Sequence, residues 1–294
     1  MKFILFILLF TLPLFALKSF DGNIGVLRDG IADTKTKDYA IAFELLIQKI
    51  GFKRNIIMNL TNYDDVNKIT NDFTKHKLDY IMINPYYFLG NQEKLAEHAA
   101  LSWAIRKGEN KFYKMVILAR KDFNIKNVTD LKNKKVILKN DNYLGKMVLN
   151  KTLLESKEHH IYKGYIDSLM PVKTNSRAIL QLYFKKADVA VVPKFIYDFM
   201  SEMNPDIKMK IKIIHETEPV FISLINMLHI DTPKDTIKKM METTYDLHTT
   251  VDGKNVFNLF KMKRMDAVSN KELQKLKNYY NEYMKLKKKY SDVK

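Results

Sequence analysis

The chain has 294 residues, of which 46% are apolar, enough to fill packed cores and to exclude a disordered chain. Its 50 Lys and Arg against 33 Asp and Glu give a net charge of +17, but the basic residues are spread along the sequence and only KLKKKY at 285–290 is dense. That spread favours a lysine-rich surface over a nucleic-acid groove, and the absence of cysteine excludes disulfides, thiolate metal sites, a cysteine nucleophile and a lipid-modified cysteine anchor.

Residues 1–19 place Lys2 ahead of an apolar run from Phe3 to Leu17. The run is short against the roughly 20 residues of a membrane span. With small residues near Ala16 and Ser19, it predicts a secretory signal peptide; an uncleaved tether is the alternative. Export removes nucleic acid as an expected partner.

Strand and helix patterns then alternate. NIGVL (23–27) reads as a strand and runs into RDG (28–30). KDYAIAFELLIQKIG (37–51) reads as a helix ending at Gly51. RNIIMNL (54–60) is strand-like. TNYDDVNKITNDFTKHK (61–77) predicts a helix that Thr61 opens, with Asp64 as an acidic capping-box partner. LDYIMIN (78–84) is a third strand, running into Pro85, Tyr86, Tyr87 and Phe88. ALSWAI (100–105) and YKMVILAR (113–120) follow as strands, and NVTDLKNKKVILKN (127–140) as a helical turn, a loop and a strand.

DNYLGKMVLNKTLLES (141–156) predicts a helix capped by Asp141 or Asn142. TNSRAILQLYFKK (174–186) is another helix, and ADVAVV (187–192) a strand entering Pro193. KMKIKIIHE (208–216) and PVFISLINMLHI (219–230) read as strands. DTPKDTIKKMMETTYDLH (231–248) predicts a helix with Thr232 as cap. In SNKELQKLKNYYNEYMKLKKKY (269–290), Ser269 and Glu272 can form a capping box, and Leu273, Leu276, Tyr280 and Tyr283 share one stripe. Such alternation predicts an α/β fold of mostly parallel sheets flanked by helices.

The pattern HKLDYIMINP (76–85) has an echo in KKADVAVVP (185–193), consistent with two similar lobes. Five stretches then occur in order: IGVLRDG (24–30), LTNYDDVNKITNDFTKHKLDYIMINPYYF (60–88), YKMVILARKDFNIKNVTDLKNKKVIL (113–138), TNSRAILQLYFKKADVAVV (174–192) and TPKDTIKK (232–239). In these stretches the chain resembles the periplasmic substrate-binding proteins of ABC importers, most closely the phosphate/phosphite/phosphonate-binding group. The resemblance implies a type II periplasmic-binding fold. Lobe 1 would hold residues 20–120 and 217–294, and lobe 2 residues 121–216, with two crossing strands and a ligand between the lobes. Ligands of open α/β sheets sit beyond the carboxyl ends of strands, where helix N-termini offer free N–H groups.

The expected ligand contacts follow from that placement. Tyr86 and Tyr87 end a strand of lobe 1, at the place of a ligand-touching tyrosine in the family, and Arg28 offers a fork to an anion. Trp103 and Arg106 flank another strand end. In lobe 2, KNDNYLGK (139–146) lacks the Ser and Thr of the family's oxyanion loop, leaving Asn140, Asn142, Tyr143 and Lys146 as polar contacts, Asn142 and Tyr143 foremost. At TNSR (174–177), Asn175 and Ser176 replace a His-Asp pair, and Arg177 adds charge. At VVPKF (191–195), Lys194 stands where an acid meets the ligand's amino group, which disfavours an aminoalkyl phosphonate.

No cofactor motif appears. The histidines His76, His98, His159, His160, His215, His229 and His248 lack the i, i+4 spacing of a helical metal pair, so no metal is expected unless distant segments supply one. The expected protein is an exported, periplasmic, monomeric, non-enzymatic binder of a small anionic ligand that feeds an ABC permease. A sensory protein signalling to a membrane receptor is the alternative, and an enzyme on the same fold the remoter one.

Overall fold

The apolar runs become the strands of two separate sheets. The computed structural model describes residues 20–27, 44–45, 47–49, 51, 56–107, 109–259 and 262–290. The signal-like segment therefore lies outside the described residues, as do Arg28 and most of the helix expected over 37–51, whose described positions are helical. In chain order the strands are β1 (Phe20–Leu27), β2 (Ile56–Tyr63), β3 (Tyr80–Ile83), β4 (Ala99–Arg106), β5 (Met115–Arg120), β6 (Lys135–Lys139), β7 (Ser168–Val172), β8 (Val189–Pro193), β9 (Ile211–Glu216), β10 (Ile225–His229) and β11 (Arg264–Ala267). The helices are α1 (Val66–Thr74), α2 (Pro85–Gly90), α3 (Gln92–Glu97), α4 (Tyr143–Glu155), α5 (Asn175–Tyr183), α6 (Lys194–Met203), α7 (Pro205–Lys210), α8 (Lys234–Asp246), α9 (Val251–Leu259) and α10 (Asn270–Lys289).

One sheet has the order β11-β4-β10-β3-β1-β2 and the other β7-β6-β8-β5-β9. Both are mixed rather than mostly parallel. β1 pairs in parallel with β2 and β3, and β6 with β7 and β8. β10 and β11 join β3 and β4 antiparallel, as β5 joins β8 and β9. The antiparallel pairs of β5 and β10 come from strands that enter a sheet by crossing from the other lobe, not through a helical βαβ return, while β11 adds antiparallel to β4 at the sheet edge. β5 pairs wholly within the five-stranded sheet, so the chain changes sheets before Met115, ahead of the expected boundary after residue 120.

The central strands β3, β5, β8 and β10 bury both faces, which explains why their runs read as continuous rather than alternating. On the first sheet, Ile24, Tyr80, Met82 and Trp103 face an outer cluster with Met240 of α8 and Phe257 of α9. On the second, Val116, Ile137 and Ala190 pack against Ile179 of α5 and Tyr197 of α6. The inner faces meet in one cluster that joins both lobes, from Ile81 and Ile83 to Ile117, Leu138 and Leu276. Helix α1 lies close on β1: a Cβ on Gly25 would fall 2.6 Å from Leu78 Cδ1 and 3.2 Å from Ile69 Cγ1.

Two helix starts differ from expectation. β2 continues to Tyr63, so α1 begins later, and Asp65 rather than Thr61 caps it by accepting from Asn67 N at 2.7 Å. At α8 the cap position is Pro233, while Thr232 is buried with its hydroxyl unpartnered. The capping box of α10 forms as expected. Ser269 Oγ accepts from Glu272 N, and Glu272 Oε2 accepts from Ser269 N at 2.9 Å.

Glu272 also meets Lys111 Nζ at 2.6 Å. This ion pair, with the backbone N–H of Ser269, lowers its pKa from the ordinary 4.5 to about 2. A folded-state pKa below the unfolded value means stability present above about pH 4.5 and lost as pH falls toward 2. Ser269→Ala is expected to lower unfolding free energy by about 1 kcal/mol in urea titrations at pH 7. Glu272→Gln is expected to flatten the loss of stability between pH 4.5 and 2; an unchanged acid profile would refute the assignment.

Candidate ligand-binding cleft

The strand β3 hands the chain to an aromatic corner. Asn84, in extended conformation, caps α2 by accepting from Tyr86 N at 2.8 Å, and Pro85 fills the first helical position, where no N–H is needed. Pro85 and Phe88 are buried beneath the helix, and Tyr86 and Tyr87 are half-buried. Asn84 is thus the helix cap.

On the second lobe, α4 begins at Tyr143. Asn142 caps it by accepting from Gly145 N at 2.8 Å. The cap is tight: a Cβ on Gly145 would sit 2.5 Å from Asn142 Nδ2 and 2.7 Å from its Cγ. Asn142 Nδ2 is buried and has no hydrogen-bond partner.

The two lobes meet through these tyrosines. The Tyr86 and Tyr143 rings stack with centroids 5.5 Å apart and planes 19° apart. Tyr87 lies 5.3 Å from Tyr143, tilted by 51°, and contacts Tyr86 edge-on at 6.1 Å. Tyr280 of α10 meets Tyr86 edge-on at 6.3 Å. Lys146 Nζ stands 5.4 Å from the Tyr143 centroid, within reach of a cation–π contact. Burial raises the pKa of Tyr86, and Tyr283, Tyr280, Tyr143 and Tyr162 raise it further. Burial also raises Tyr162 and Tyr280, each helped by Tyr283. These phenols are therefore neutral hydrogen-bond donors at any physiological pH.

Asn175, Ser176 and Arg177 form the first turn of α5, which Thr174 caps by accepting from Arg177 N at 3.1 Å. The start of α5 lies beside that of α4, because Asn140 N donates to Val172 O and ties the ends of β6 and β7 together. Asn142 and Asn175 each stand three residues beyond their strand, and Asn175 Oδ1 is also buried without a partner. Ser176 is half-buried and Arg177 exposed. Lys194 opens α6 at the end of β8, but both carboxylate oxygens of Asp198 take its Nζ at 2.8 Å. Its charge is matched within its own helix.

Trp103 is 1% exposed and packs in the outer core, and Arg106 binds Asp266 at 2.7 Å. Both are framework residues. Tyr280 and Tyr283, which join the cluster with Tyr162, are legible in the sequence only as positions on the stripe of the last helix. Their signal was phenol where a leucine would serve packing alone. Asn150 links two of them, accepting from Tyr162 N at 3.0 Å and donating to Tyr283 Oη at 3.4 Å. A mostly apolar cavity of about 250 Å³, lined by Phe88, Leu101, Met227 and Leu273, lies on the first lobe and receives no residue of the second.

Two α/β lobes joined at a narrow waist, with polar side chains and helix starts facing one another between them, define a two-lobed solute-binding protein. The profile of the ABC-transporter phosphonate periplasmic substrate-binding proteins matches residues 30–273, and the chain belongs to that family. It is a substrate-binding component of a transport system and not an enzyme. The fold is similar to XAC2383 from Xanthomonas citri bound to chloride, with TM-score 0.63 and 12% identity over 91% of this chain and 99% of that one. It is also similar to a binding component of an ABC phosphonate transporter from Pseudomonas aeruginosa, with TM-score 0.58 and 12% identity over 93% and 99% of the two chains. PhnD1 from Prochlorococcus marinus in complex with methylphosphonate gives TM-score 0.58 and 13% identity over 93% and 99%. At such identities the likeness is one of fold. No curated protein matches the sequence. Among the described residues, no helix is long and apolar enough to cross a membrane.

Gly145→Ala is expected to push Asn142 off its cap, lowering stability by about 1 kcal/mol in urea titrations. Asn142→Ala should cost the same; a full-cost Gly145→Ala beside a neutral Asn142→Ala would refute this account of the glycine.

Proposed function

We propose that the space between the starts of α4 and α5 and the Tyr86–Tyr87 corner takes a small phosphonate-like oxyanion and delivers it to the permease of an ABC importer. The observation that carries this reading is the buried, unpartnered Asn142 Nδ2 at the start of a 13-residue helix, beside tyrosines from both lobes. A buried amide donor without a partner is costly, and a ligand oxygen would satisfy it. The N-terminal N–H groups of α4 add a partial positive charge. Membership of the phosphonate family supports the same ligand class, and so does the methylphosphonate bound by PhnD1.

Within this reading, Tyr86, Tyr87 and Tyr143 wall the ligand, Asn142, Asn175 and Ser176 supply polar contacts, and Arg177 draws anions toward the rim. Arg28 belongs to the same proposal from its place after β1. Lys194 contributes least, since Asp198 holds it. The lobes of the proposal are residues 20–114 with 217–290 and residues 115–216. The apolar start of the chain would serve export to the periplasm.

Thermal shift tests the ligand class. Methylphosphonate at 100 times its dissociation constant is expected to add about 2.7 kcal/mol to stability. Tyr86→Ala should weaken binding about 10-fold, equivalent to about 1.4 kcal/mol. If methylphosphonate, phosphate and methanesulfonate all leave the unfolding temperature unchanged, the oxyanion reading fails.

A further inference from the structure

The outer helices of lobe 2 leave one apolar face uncovered. The large apolar side chains that residues 115–216 expose, Leu180, Phe184, Phe199, Met203 and Met209, all lie on α5, α6 and α7 or directly after α5. The three helices pack on one side of the second sheet through Ile179, Tyr197 and Ile207. Phe184 is 63% exposed, Met203 74% and Met209 62%. Helices α5 and α6 start at the cleft and run away from it, which places Phe184 about 14 Å beyond Asn175 at about 1.5 Å per residue. The face therefore lies at the end of lobe 2 remote from the proposed ligand.

Short contacts gather that end into one corner. Tyr183 Oη donates to Asp206 Oδ2 at 3.0 Å, and Lys210 Nζ donates to Tyr183 Oη at 2.9 Å. The Phe184 ring meets that of Tyr183 edge-on at 5.1 Å. Asn204 joins α6 to α7 by accepting from Asp206 N at 3.1 Å, so Met203 borders the same knot. Lys121 N donates to Lys210 O at 2.8 Å, and Lys185 Nζ pairs with Asp122 at 3.2 Å. Lysines thus stand among the apolar side chains. Lys121, Lys186 and Lys208 are exposed and form no ion pair among the described residues.

The turn after α5 adds a local sign. Lys186 N donates to Gln181 O at 2.9 Å and Lys185 N to Leu182 O at 3.1 Å, the helix-ending pattern whose left-handed residue is usually glycine. Lys185 takes that place at a φ of 61°. The next position, which commonly folds an apolar side chain back onto the helix, is Lys186. The helix end projects Phe184 and two lysines outward together. A second copy of this chain would bring lysines against lysines, so like charge disfavours self-association through this face. An anionic lipid surface matches both features. Phenyl and thioether groups enter the boundary between headgroups and acyl chains, and lysine stems lie along it with their ammonium groups at the phosphates.

We propose that this end of lobe 2 docks reversibly on an anionic phospholipid membrane, with Phe184, Met203 and Met209 entering the headgroup boundary and Lys121, Lys186 and Lys208 meeting the phosphates. Docking there leaves the Tyr86–Tyr143 corner uncovered and holds the protein beside a membrane-borne permease. The surface is independent of the proposed oxyanion.

Flotation of the exported, tag-free protein with phosphatidylglycerol and with phosphatidylcholine vesicles tests it. Binding is expected to phosphatidylglycerol, to be weak on phosphatidylcholine and to fall as salt is raised. Lys186→Glu with Lys208→Glu should lower partition onto phosphatidylglycerol by at least ~10-fold. Phe184→Ser with Met209→Ser should lower it by at least ~10-fold as well. Lys234→Glu with Lys238→Glu, at exposed positions of α8 on lobe 1, changes the net charge equally and should bind as the wild type does. Every variant keeps the same N-terminus and should unfold at the wild-type temperature. No binding to phosphatidylglycerol would overturn the proposal and leave the face to a protein partner. Equal binding to both lipids, or a loss in the lobe 1 variant as large as in the lobe 2 variants, would also overturn it. So would a dimer in sedimentation velocity that Phe184→Ser with Met209→Ser dissociates.

Discussion

Two backbone hydrogen bonds hold the lobes at one waist. Tyr113 N donates to Phe221 O at 2.8 Å, and Phe221 N returns a bond to Tyr113 O at 3.2 Å. Just beyond, Met115 N donates to Thr217 Oγ1 and Thr217 N to Met115 O, at 2.9 and 3.0 Å. The two segments that cross between sheets are thereby paired, and each sheet starts from that pair. Phe221 is fully buried, while the Tyr113 ring packs edge-on against Phe195 of the second lobe at 5.4 Å. A connection this narrow allows two sheets to share a core while leaving their facing ends as the place where a solute can enter.

The C-terminal helix limits that freedom. α10 starts from the first lobe through its capping box and buries Leu273 and Leu276, then runs across to the second. There Glu282 meets Lys151 of α4 at 3.3 Å, and Lys151 Nζ stands 4.7 Å over Tyr279. Lys151 is 5% exposed and also pairs with Glu155. A cation so buried needs both carboxylates and the ring to offset its lost hydration. Tyr290 stacks on His159 at the helix end. One helix thus ties the waist to the C-terminal half of α4, and Tyr280 of the same helix meets Tyr86 of the cleft, which stacks on Tyr143.

Most elements were legible because their signals are local. The Ser269–Glu272 box, the cap of α4 at Asp141 or Asn142 and the apolar runs of β3, β5 and β8 act within a few residues, and the structure realises each, with Asn142 as the cap. Thr61 failed as a cap because β2 pairs with β1 out to Tyr63, a tertiary contact that outweighs a good local start. Helices α2 and α6 were missed because each begins directly at a strand end, at Asn84-Pro85 and Pro193-Lys194, with no loop to separate the two patterns. β10 is shorter than its apolar run because residues before Ile225 are spent on crossing the waist. Candidate site residues followed the same rule. Tyr86, Tyr87 and Tyr143 sit at readable strand-to-helix junctions. Which of them touch, and that Tyr280 joins them, depends on α10 returning across the lobes. The pairing of Lys194 with Asp198 is readable in the sequence as an i, i+4 pair.

That pairing bears on how an anion would be held. Asp198 neutralises Lys194, Arg177 is exposed at the rim, and Lys146 lies over a ring. The described groups closest to the proposed ligand are neutral: phenol hydroxyls, the Asn142 amide and helix N–H groups. Neutral donors in a water-poor cleft can hold an oxyanion, because their dipoles are fixed and cost no reorganisation when it arrives. Such a set discriminates by geometry and by proton. Asn175 Oδ1 is an unpartnered acceptor in the same row of helix starts. Toward a bare oxygen of a fully ionised anion an acceptor is repulsive, whereas toward a P–OH group it accepts a hydrogen bond. On the proposed reading, the asparagine at 142 in the oxyanion loop and Asn175 with Ser176 in place of a His-Asp pair therefore shift preference toward a singly protonated phosphonate. The amino group of an aminoalkyl phosphonate has no acid at VVPKF to meet it, and Asp198, one turn further along α6, is already taken by Lys194. The departures from the family pattern then work in one direction, away from ligands carrying a cation and toward compact monoanions.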